Sequence, residues 1–92
     1  MDYEWDVIKA EANLKKHSVS FEEAKTVFNN PLALIFEDEL HSAEEHREII
    51  IGHSRQNRLL LVSFTERPKA IRIISARIVT QRERKDYENN AF

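Results

Sequence analysis

Three strand-like segments follow one another in the second half of the chain, and only four residues connect each segment to the next. They span residues 48–53, 58–65 and 70–76 and consist largely of isoleucine, leucine and valine. Short runs of such residues between polar connections are typical of β-strands. Because parallel strands need a connection of a dozen or more residues, these three pair antiparallel. The sequence therefore predicts a β-meander at the centre of the fold.

Three helices are predicted around the meander, two before it and one after it. Each begins at a side chain that caps a helix N-terminus: Asp6 before residues 7–16, Ser20 in the capping box Ser20-x-x-Glu23, and Thr80 in the capping box Thr80-x-x-Glu83. In the second helix, apolar residues recur at helical spacing at Phe21, Ala24, Val27 and Phe28. This stripe predicts that the helix packs against the sheet.

The order of these elements predicts an α+β fold in a single domain of residues 1–92. Short strands are also expected at residues 3–5 and 32–36, and an acidic loop at residues 37–46. Strands flanked by helices favour an antiparallel sheet with the two N-terminal helices packed on it, followed by a C-terminal helix. The helices are expected to cover one face of the sheet and to leave the other face partly open.

Composition excludes several classes of protein. The chain has no cysteine and cannot form disulfides or thiolate metal sites, which suits a cytoplasmic protein. No apolar run approaches the roughly 20 residues of a membrane helix, and the acidic start M-D-Y-E-W-D is unlike a signal peptide. With one glycine, Gly52, the sequence contains no glycine-rich phosphate loop. No cofactor, metal or membrane contact is expected.

Charge is divided unevenly along the chain. Residues 1–46 contain four Lys/Arg against eleven Asp/Glu, whereas residues 47–92 contain ten against five. One interpretation is that the protein has two surfaces of opposite charge, of which the basic one meets nucleic acid. The alternative is that the two halves mix in space, since halves of a sequence need not be halves of a fold.

Arginines are concentrated in and around the last strand and the helix after it. They are Arg67, Arg72, Arg77, Arg82 and Arg84. Guanidinium groups match phosphate oxygens in a bidentate manner, so this concentration predicts a site for a nucleic-acid backbone. Alternatively, Arg67, Arg72 and Arg77 form ordinary surface ion pairs, for which the candidate partners are Glu48, Glu66 and Glu83.

Alternation along the last strand predicts which way its side chains point. Ile71, Ile73 and Ser75 share one face, and Arg72 and Ile74 share the other. Arg72 is therefore expected to point away from the isoleucine face, and Arg77 to lie just beyond the end of the strand.

Proton transfer near neutral pH is the role for which histidine is best suited. His17 follows Lys15 and Lys16 at the end of the first helix, where the helix dipole alone also favours cations. His41 and His46 lie in the acidic loop, where no regular element orients them as metal ligands. A solvated loop is the preferred interpretation for these two, and His17 is the candidate for proton transfer.

The order of motifs along the whole chain resembles that of the BrnT family. The motifs are E-W-D at 4–6, K-H-x-V-S-F-E-E-A at 16–24, F-x-x-P-L-A at 28–33, R-x-x-x-I-G-x-S at 47–54, L-x-V-x-x-T-E-R at 60–67, I-R-I-I-S-A-R at 71–77 and E-R-x-x-Y at 83–87. The last two are the most specific. Val7 and Ser18 depart from the proline and glycine of many relatives, and both positions concern how a helix starts or stops.

The resemblance implies a RelE-like fold and a toxin of a bacterial type II toxin–antitoxin system. Such a toxin cleaves RNA, inhibits translation and is neutralised by a BrnA-like antitoxin of the ribbon-helix-helix type. The complex represses its own operon, and contact with operator DNA is made only through the antitoxin. By the same resemblance, Lys16, Arg67 and Arg77 are important for activity, and His17 and Tyr87 are further candidates.

Cleavage of RNA needs neither a metal nor a covalent residue, because the 2′-hydroxyl of RNA is itself the nucleophile. The hypothesis assigns phosphate binding to Arg67, Arg72 and Arg77, proton transfer to His17 or Lys16, base stacking or proton donation to Tyr87, and further RNA contacts to Arg82 and Arg84. One alternative is a non-catalytic module that only grips nucleic-acid phosphates. Another is a protein that serves only as the structural partner of an antitoxin.

Overall fold

The computed structural model describes residues 2–41 and 45–90, in which a five-stranded sheet carries three helices. The strands are β1 (Asp2–Glu4), β2 (Leu34–Glu37), β3 (Glu48–His53), β4 (Leu59–Arg67) and β5 (Ala70–Ile78). The helices are α1 (Val7–His17), α2 (Phe21–Thr26) and α3 (Gln81–Glu88), and 3₁₀ turns lie at Val27–Asn29 and Glu39–His41. No helix in the two described ranges is long and apolar enough to cross a membrane. Residues 42–44 of the expected acidic loop lie outside the described residues.

The sheet is mixed and not wholly antiparallel. Its strand order is β1-β5-β4-β3-β2, and the strands from β2 to β5 pair antiparallel as predicted. β1 instead pairs parallel with β5, where Asp2 lies opposite Ala70. The expectation of a purely antiparallel sheet was wrong at this edge because helices join β1 to the other strands, so no short turn sets its direction.

The helices α1 and α2 lie on one face of the sheet. Phe21, Ala24 and Val27 of the predicted stripe are buried in one cluster with Leu60 and Val62 of β4, and Phe28 packs against the same cluster. The apolar stripe that begins on α2 therefore lies in the core against the sheet.

The third helix lies on the opposite face. Tyr87 of α3 and Val79 just before it pack with Leu59 and Leu61 of β4. Because neighbouring residues of a strand point to opposite sides, this cluster and the one that contains Leu60 are on different faces. The expectation that all helices share one face was wrong for α3, which covers one end of the second face and leaves the rest open.

A β-bulge in β5 decides which of its side chains reach this second face. Ser63 of β4 pairs with Ser75, but Phe64 pairs with Ile73, so Ile74 is an extra residue without a cross-strand partner. The extra residue reverses the alternation beyond it. Ser75 therefore points away from the face that carries Ile71 and Ile73, contrary to the simple alternation. Arg77 points to the same open face of the sheet as Ser75.

The two departures from the family pattern lie at the ends of α1. Val7 is the first residue of the helix, after Asp6, whose Oδ1 accepts a hydrogen bond from the Ile8 amide at 2.8 Å. Ser18 ends the helix at a φ of 58°, in the left-handed region that glycine adopts more readily. The helix thus keeps its start and its stop although other residues occupy both positions.

Asn13 joins α1 to the free edge of β5 beyond the end of β1. The residue is 8% exposed, and its Nδ2 donates to the carbonyls of Ala76 at 2.8 Å and Val19 at 2.9 Å. Its Oδ1 accepts from the Ala76 amide at 3.1 Å. The carboxamide bonds to the amide and the carbonyl of Ala76 in the way that a neighbouring strand would, so these buried backbone groups keep their hydrogen bonds.

Replacing Asn13 with alanine is expected to lower the free energy of unfolding by roughly 3 kcal/mol, because buried backbone groups lose their partners. Urea unfolding of the two proteins measures the difference. Glu11→Ala, at an exposed position of the same helix, is the matched control and should change stability by less than about 0.5 kcal/mol. Equal stabilities of the two variants would show that Asn13 has no such role.

Glu23 ties α2 to the hairpin between β3 and β4. Its side chain is buried, and the carboxylate accepts hydrogen bonds from Ser54 Oγ at 2.6 Å and from Arg58 Nε at 2.9 Å, with a second contact to Arg58 Nη2. The hydrogen bonds from Arg58 are the main reason that the pKa of Glu23 lies below its ordinary value. Only half of the predicted capping box is seen, in which Ser20 Oγ accepts from the Glu23 amide at 3.0 Å.

Candidate active site

The open part of the second sheet face contains a groove of about 400 Å³, here called the sheet groove. Its apolar lining consists of Phe36, Ile49 and Leu61. Its polar lining consists of Asp38, His41, Arg47, Ser63, Ser75, Arg77 and Glu83. Strands β2 to β5, the 3₁₀ turn after β2 and the first turn of α3 therefore all contribute to one concavity, in which an apolar lining carries several charged groups.

Arg77 is held on the wall of the sheet groove by Glu83. The guanidinium donates through Nη1 to Oε1 at 2.7 Å and through Nη2 to Oε2 at 2.9 Å, in a bidentate pair. Glu83 also closes the capping box of α3, since its Oε1 accepts from the Thr80 amide at 2.9 Å and Thr80 Oγ1 accepts from the Glu83 amide at 3.1 Å. A guanidinium has five N–H donors. Glu83 uses two, and a weaker contact of 3.4 Å reaches the Ile78 carbonyl, so Arg77 keeps donors for a ligand while its orientation is fixed.

The same contacts change the ionisation of Glu83. The hydrogen bonds from Arg77 are the largest cause that lowers the pKa of this carboxyl from its ordinary 4.5 to about 2, and the Thr80 amide adds to the effect. Glu83 is therefore charged at neutral pH and is a poor proton donor there. Its chemical part in the sheet groove is to orient Arg77.

Replacing Glu83 with glutamine is expected to destabilise the protein at pH 7 by about 1–2 kcal/mol, since the ion pair is partly exposed to solvent. Folding lowers the pKa of Glu83 from 4.5 to about 2, so the charged carboxylate stabilises the fold above pH 4.5 and this stabilisation is lost as the pH falls towards 2. Urea unfolding between pH 2 and pH 7 should show a difference that shrinks below pH 4.5. A difference that is the same at all pH values would contradict the assignment, and Glu88→Gln at an exposed position of α3 is the control.

The wall opposite Arg77 is formed by residues that the sequence did not single out. Arg47 immediately precedes β3, and the 3₁₀ turn after β2 carries His41, whose Nδ1 lies 3.0 Å from Asp38 Oδ2. Between the walls, Ser63 and Ser75 face each other as a cross-strand pair. The interpretation of His41 as a solvated loop residue was incomplete, since its ring is exposed but lines the sheet groove. His46 fits that interpretation, with an exposed side chain 3.8 Å from Glu37.

The three arginines assigned to one phosphate do not meet at one point. Arg72 donates to Glu4 at 2.8 Å, and Arg67 pairs with Glu45 at 3.0 Å. Arg67 lies opposite Ala70 on the neighbouring strand. Ala70 precedes Arg77 by seven residues, which corresponds to roughly 20 Å along an extended strand. All three arginines form ion pairs within the protein, as the alternative interpretation expected. Of the observed partners, only Glu83, which pairs with Arg77, was among the predicted ones. Arg77 alone of the three lines the sheet groove.

The remaining candidates lie outside the sheet groove. Lys16 and His17 end α1, which packs on the other face of the sheet. Tyr87 is partly buried beneath α3, where its hydroxyl donates to the Leu32 carbonyl at 2.8 Å and its ring contacts His53. Arg82 and Arg84 are exposed on α3 and line a separate shallow depression. The structure thus separates these residues from Arg77, and their roles stay predictions.

The fold and the sheet groove define a small α+β protein with charged groups on an open sheet face. A family model described as "Ribonuclease toxin, BrnT, of type II toxin-antitoxin system" matches residues 5–83. The chain therefore belongs to the BrnT family. It is similar to the crystal structure of the Brucella abortus ribonuclease toxin BrnT, determined at 1.1 Å, with a TM-score of 0.69 and 25% identity over 88% of this chain and 99% of that one. No curated relative matches the sequence.

Proposed function

We propose that this protein is an endoribonuclease that cleaves RNA without a metal ion, by attack of a ribose 2′-hydroxyl on the adjacent phosphate. Its family consists of ribonuclease toxins. The observation that supports the site most is that Arg47 and Arg77 line one groove on the open sheet face. Cleavage produces a 2′,3′-cyclic phosphate on one fragment and a 5′-hydroxyl on the other.

The proposed role of Arg77 is to neutralise charge on the phosphate. Negative charge increases on the non-bridging oxygens as the 2′-oxygen attacks, and fixed donors aimed at that charge lower the barrier. Arg77 is already oriented by Glu83 and keeps N–H donors for those oxygens. Arg47 lines the same groove and supplies a second positive charge, and both groups stay protonated throughout the reaction.

The proposed RNA path continues beyond the sheet groove in two directions. Arg67 and Arg72 lie towards the other end of the β4–β5 hairpin, too far from Arg77 to bind the same phosphate, and are assigned to flanking phosphates. Arg82 and Arg84 are exposed next to Glu83 on α3 and are assigned to RNA on the other side. Lys16, His17 and Tyr87 do not line the sheet groove, and their part in activity stays a prediction from the family resemblance.

The proposed cellular role is inhibition of translation through cleavage of RNA in the cytoplasm. The family description supports a toxin that is paired with an antitoxin. From the family resemblance, the antitoxin is BrnA-like and of the ribbon-helix-helix type, and it alone contacts operator DNA in the complex.

The test is to incubate the purified protein with a defined RNA in the presence of EDTA and to analyse the ends of the fragments. We expect cleavage, with fragments that carry a 5′-hydroxyl and a cyclic phosphate. The same oligonucleotide with 2′-deoxyribose throughout is the control and should stay intact. Cleavage that requires a divalent metal and leaves a 5′-phosphate would contradict the mechanism. RNA binding without any cleavage would favour the non-catalytic module instead.

A further inference from the structure

The 3₁₀ turn after β2 brings a histidine and an aspartate together at the sheet groove. His41 Nδ1 lies 3.1 Å from Asp38 Oδ1 and 3.0 Å from Asp38 Oδ2. The Asp38 side chain is only 12% exposed, whereas that of His41 is 63% exposed. The carboxylate is thus held within the protein surface, and the imidazole extends from it towards solvent at the edge of the same groove that contains Arg77.

This arrangement fixes the chemistry of the imidazole. When Nδ1–H donates to a carboxylate, the proton of the neutral ring stays on Nδ1 and the lone pair on Nε2 remains available to accept a proton.

The charges around His41 suit a group that gains a proton beside a phosphate. Asp38 precedes His41 by three residues, and Arg47 immediately precedes β3. Arg77 and Glu83 lie on the opposite wall of the sheet groove. Glu83 is occupied by Arg77, and its lowered pKa makes it a weak base at neutral pH. Among the described residues that line the sheet groove, His41 is the side chain with the chemistry of a general base near neutral pH.

We propose that His41 is the general base of RNA cleavage and that Asp38 is its positioning residue, an inference that rests on the proposed function. Nε2 of His41 takes the proton of the 2′-hydroxyl, and the 2′-oxygen forms a bond to phosphorus. The bond between phosphorus and the 5′-oxygen breaks, its electron pair goes to that oxygen, and the oxygen takes a proton from water. His41 returns its proton to solvent, so that the enzyme is regenerated.

The first experiment compares single-turnover cleavage by the wild-type protein and by His41→Asn from pH 5 to pH 9. We expect a rate about 10²–10⁴-fold lower in the variant, together with loss of the increase in rate with pH that deprotonation of the base produces. Affinity for an RNA with 2′-O-methyl riboses, which cannot be cleaved, should stay within about twofold. His46→Asn, at the exposed histidine beside Glu37, is the matched control and should keep the wild-type profile.

Asp38→Asn separates positioning from folding. We expect a lower kcat with KM unchanged, because the asparagine keeps the shape of the side chain but no longer fixes the imidazole. Thermal unfolding should place both variants close to the wild type. A KM that rises while kcat stays at the wild-type value would show that the pair only binds RNA and would overturn the assignment.

A substrate with sulfur in place of the scissile 5′-oxygen distinguishes a base from an acid. A thiolate leaves without needing a proton, so His41→Asn should remain impaired on this RNA if His41 is the base. Full recovery would show that His41 is an acid and would overturn the inference. A wild-type rate of cleavage by His41→Asn would overturn the assignment of His41 and leave the proposed function standing. Absence of cleavage by the wild-type protein would overturn both the assignment and the proposed function.

Discussion

Replacing Arg77 with glutamine is expected to lower the rate of RNA cleavage by about 10²–10³-fold, because a fixed donor to the developing oxyanion is lost. Arg77 lies in the sheet groove with its guanidinium oriented by Glu83. Glutamine keeps a donor but removes the positive charge and the bidentate geometry. Single-turnover cleavage of a short RNA measures the effect, and binding of a 2′-O-methyl analogue measured separately shows whether affinity also falls.

Two further variants make the result interpretable. Arg77→Lys keeps the charge without the planar fork and should fall between the wild type and Arg77→Gln. Arg55→Gln removes an exposed arginine from the turn between β3 and β4, which does not line the sheet groove, and should cleave at the wild-type rate. Thermal unfolding checks that loss of the pair with Glu83 has not unfolded α3. Equal losses in Arg55→Gln and Arg77→Gln would show that the arginines contribute only overall charge.

Replacing Glu23 with alanine is expected to lower the free energy of unfolding by about 3–5 kcal/mol. The Glu23 side chain is 3% exposed, and its carboxylate accepts hydrogen bonds from Arg58 and Ser54. The variant leaves the Arg58 guanidinium without its anion, and α2 loses its link to the β3–β4 hairpin. Since the folded state of a small domain is only about 5–15 kcal/mol more stable than the unfolded state, much of the protein should unfold in mild denaturant.

Glu22→Ala is the matched control for this change. Glu22 is the neighbouring residue on α2, and its side chain is 69% exposed in an ion pair with Lys25 at 3.1 Å. Such a pair contributes at most about 1 kcal/mol. Urea unfolding of the two variants under the same conditions should therefore show a large loss for Glu23 and almost none for Glu22. Similar losses for both would mean that the buried network does not carry the stability assigned to it.

Local signals in the sequence predicted the elements well. The capping box at Thr80 and Glu83 is present in full, and the segment 48–53 is a strand with the predicted boundaries. These features depend on neighbours a few residues apart, so the pattern of the sequence contains them. The meander from β3 to β5 was predictable for the same reason, because short connections leave only one way to pair the strands.

Features that depend on distant residues could not be read from the sequence. Glu23 was predicted to cap its own helix, but its carboxylate bonds to Arg58, which is 35 residues away. The parallel pairing of β1 with β5 depends on how the two helices between β1 and β2 pack. Neither result follows from periodicity or composition.

The candidate site was only partly predictable, and the bulge in β5 is the main reason. Strict alternation places Ser75 on the isoleucine face, whereas the extra residue Ile74 turns Ser75 and Arg77 to the open face. Arg77 was identified from its residue type, but the residues that share its groove lie on three other strands, on the segment between β2 and β3 and on α3. The acidic context of His41 favoured a solvated loop. The hint to the contrary was the three-residue spacing of Asp38 and His41, because the 3₁₀ turn at Glu39–His41 brings the two residues together.

Whether RNA binds in the sheet groove is tested by NMR titration of the ¹⁵N-labelled protein with a 2′-O-methyl RNA. We predict that the largest backbone shifts occur at the sheet groove, at Arg47, Ser63, Ser75 and Arg77, and extend to the first turn of α3. Largest shifts at Lys16 and His17 on the opposite face, with the sheet groove unchanged, would show that RNA binds elsewhere.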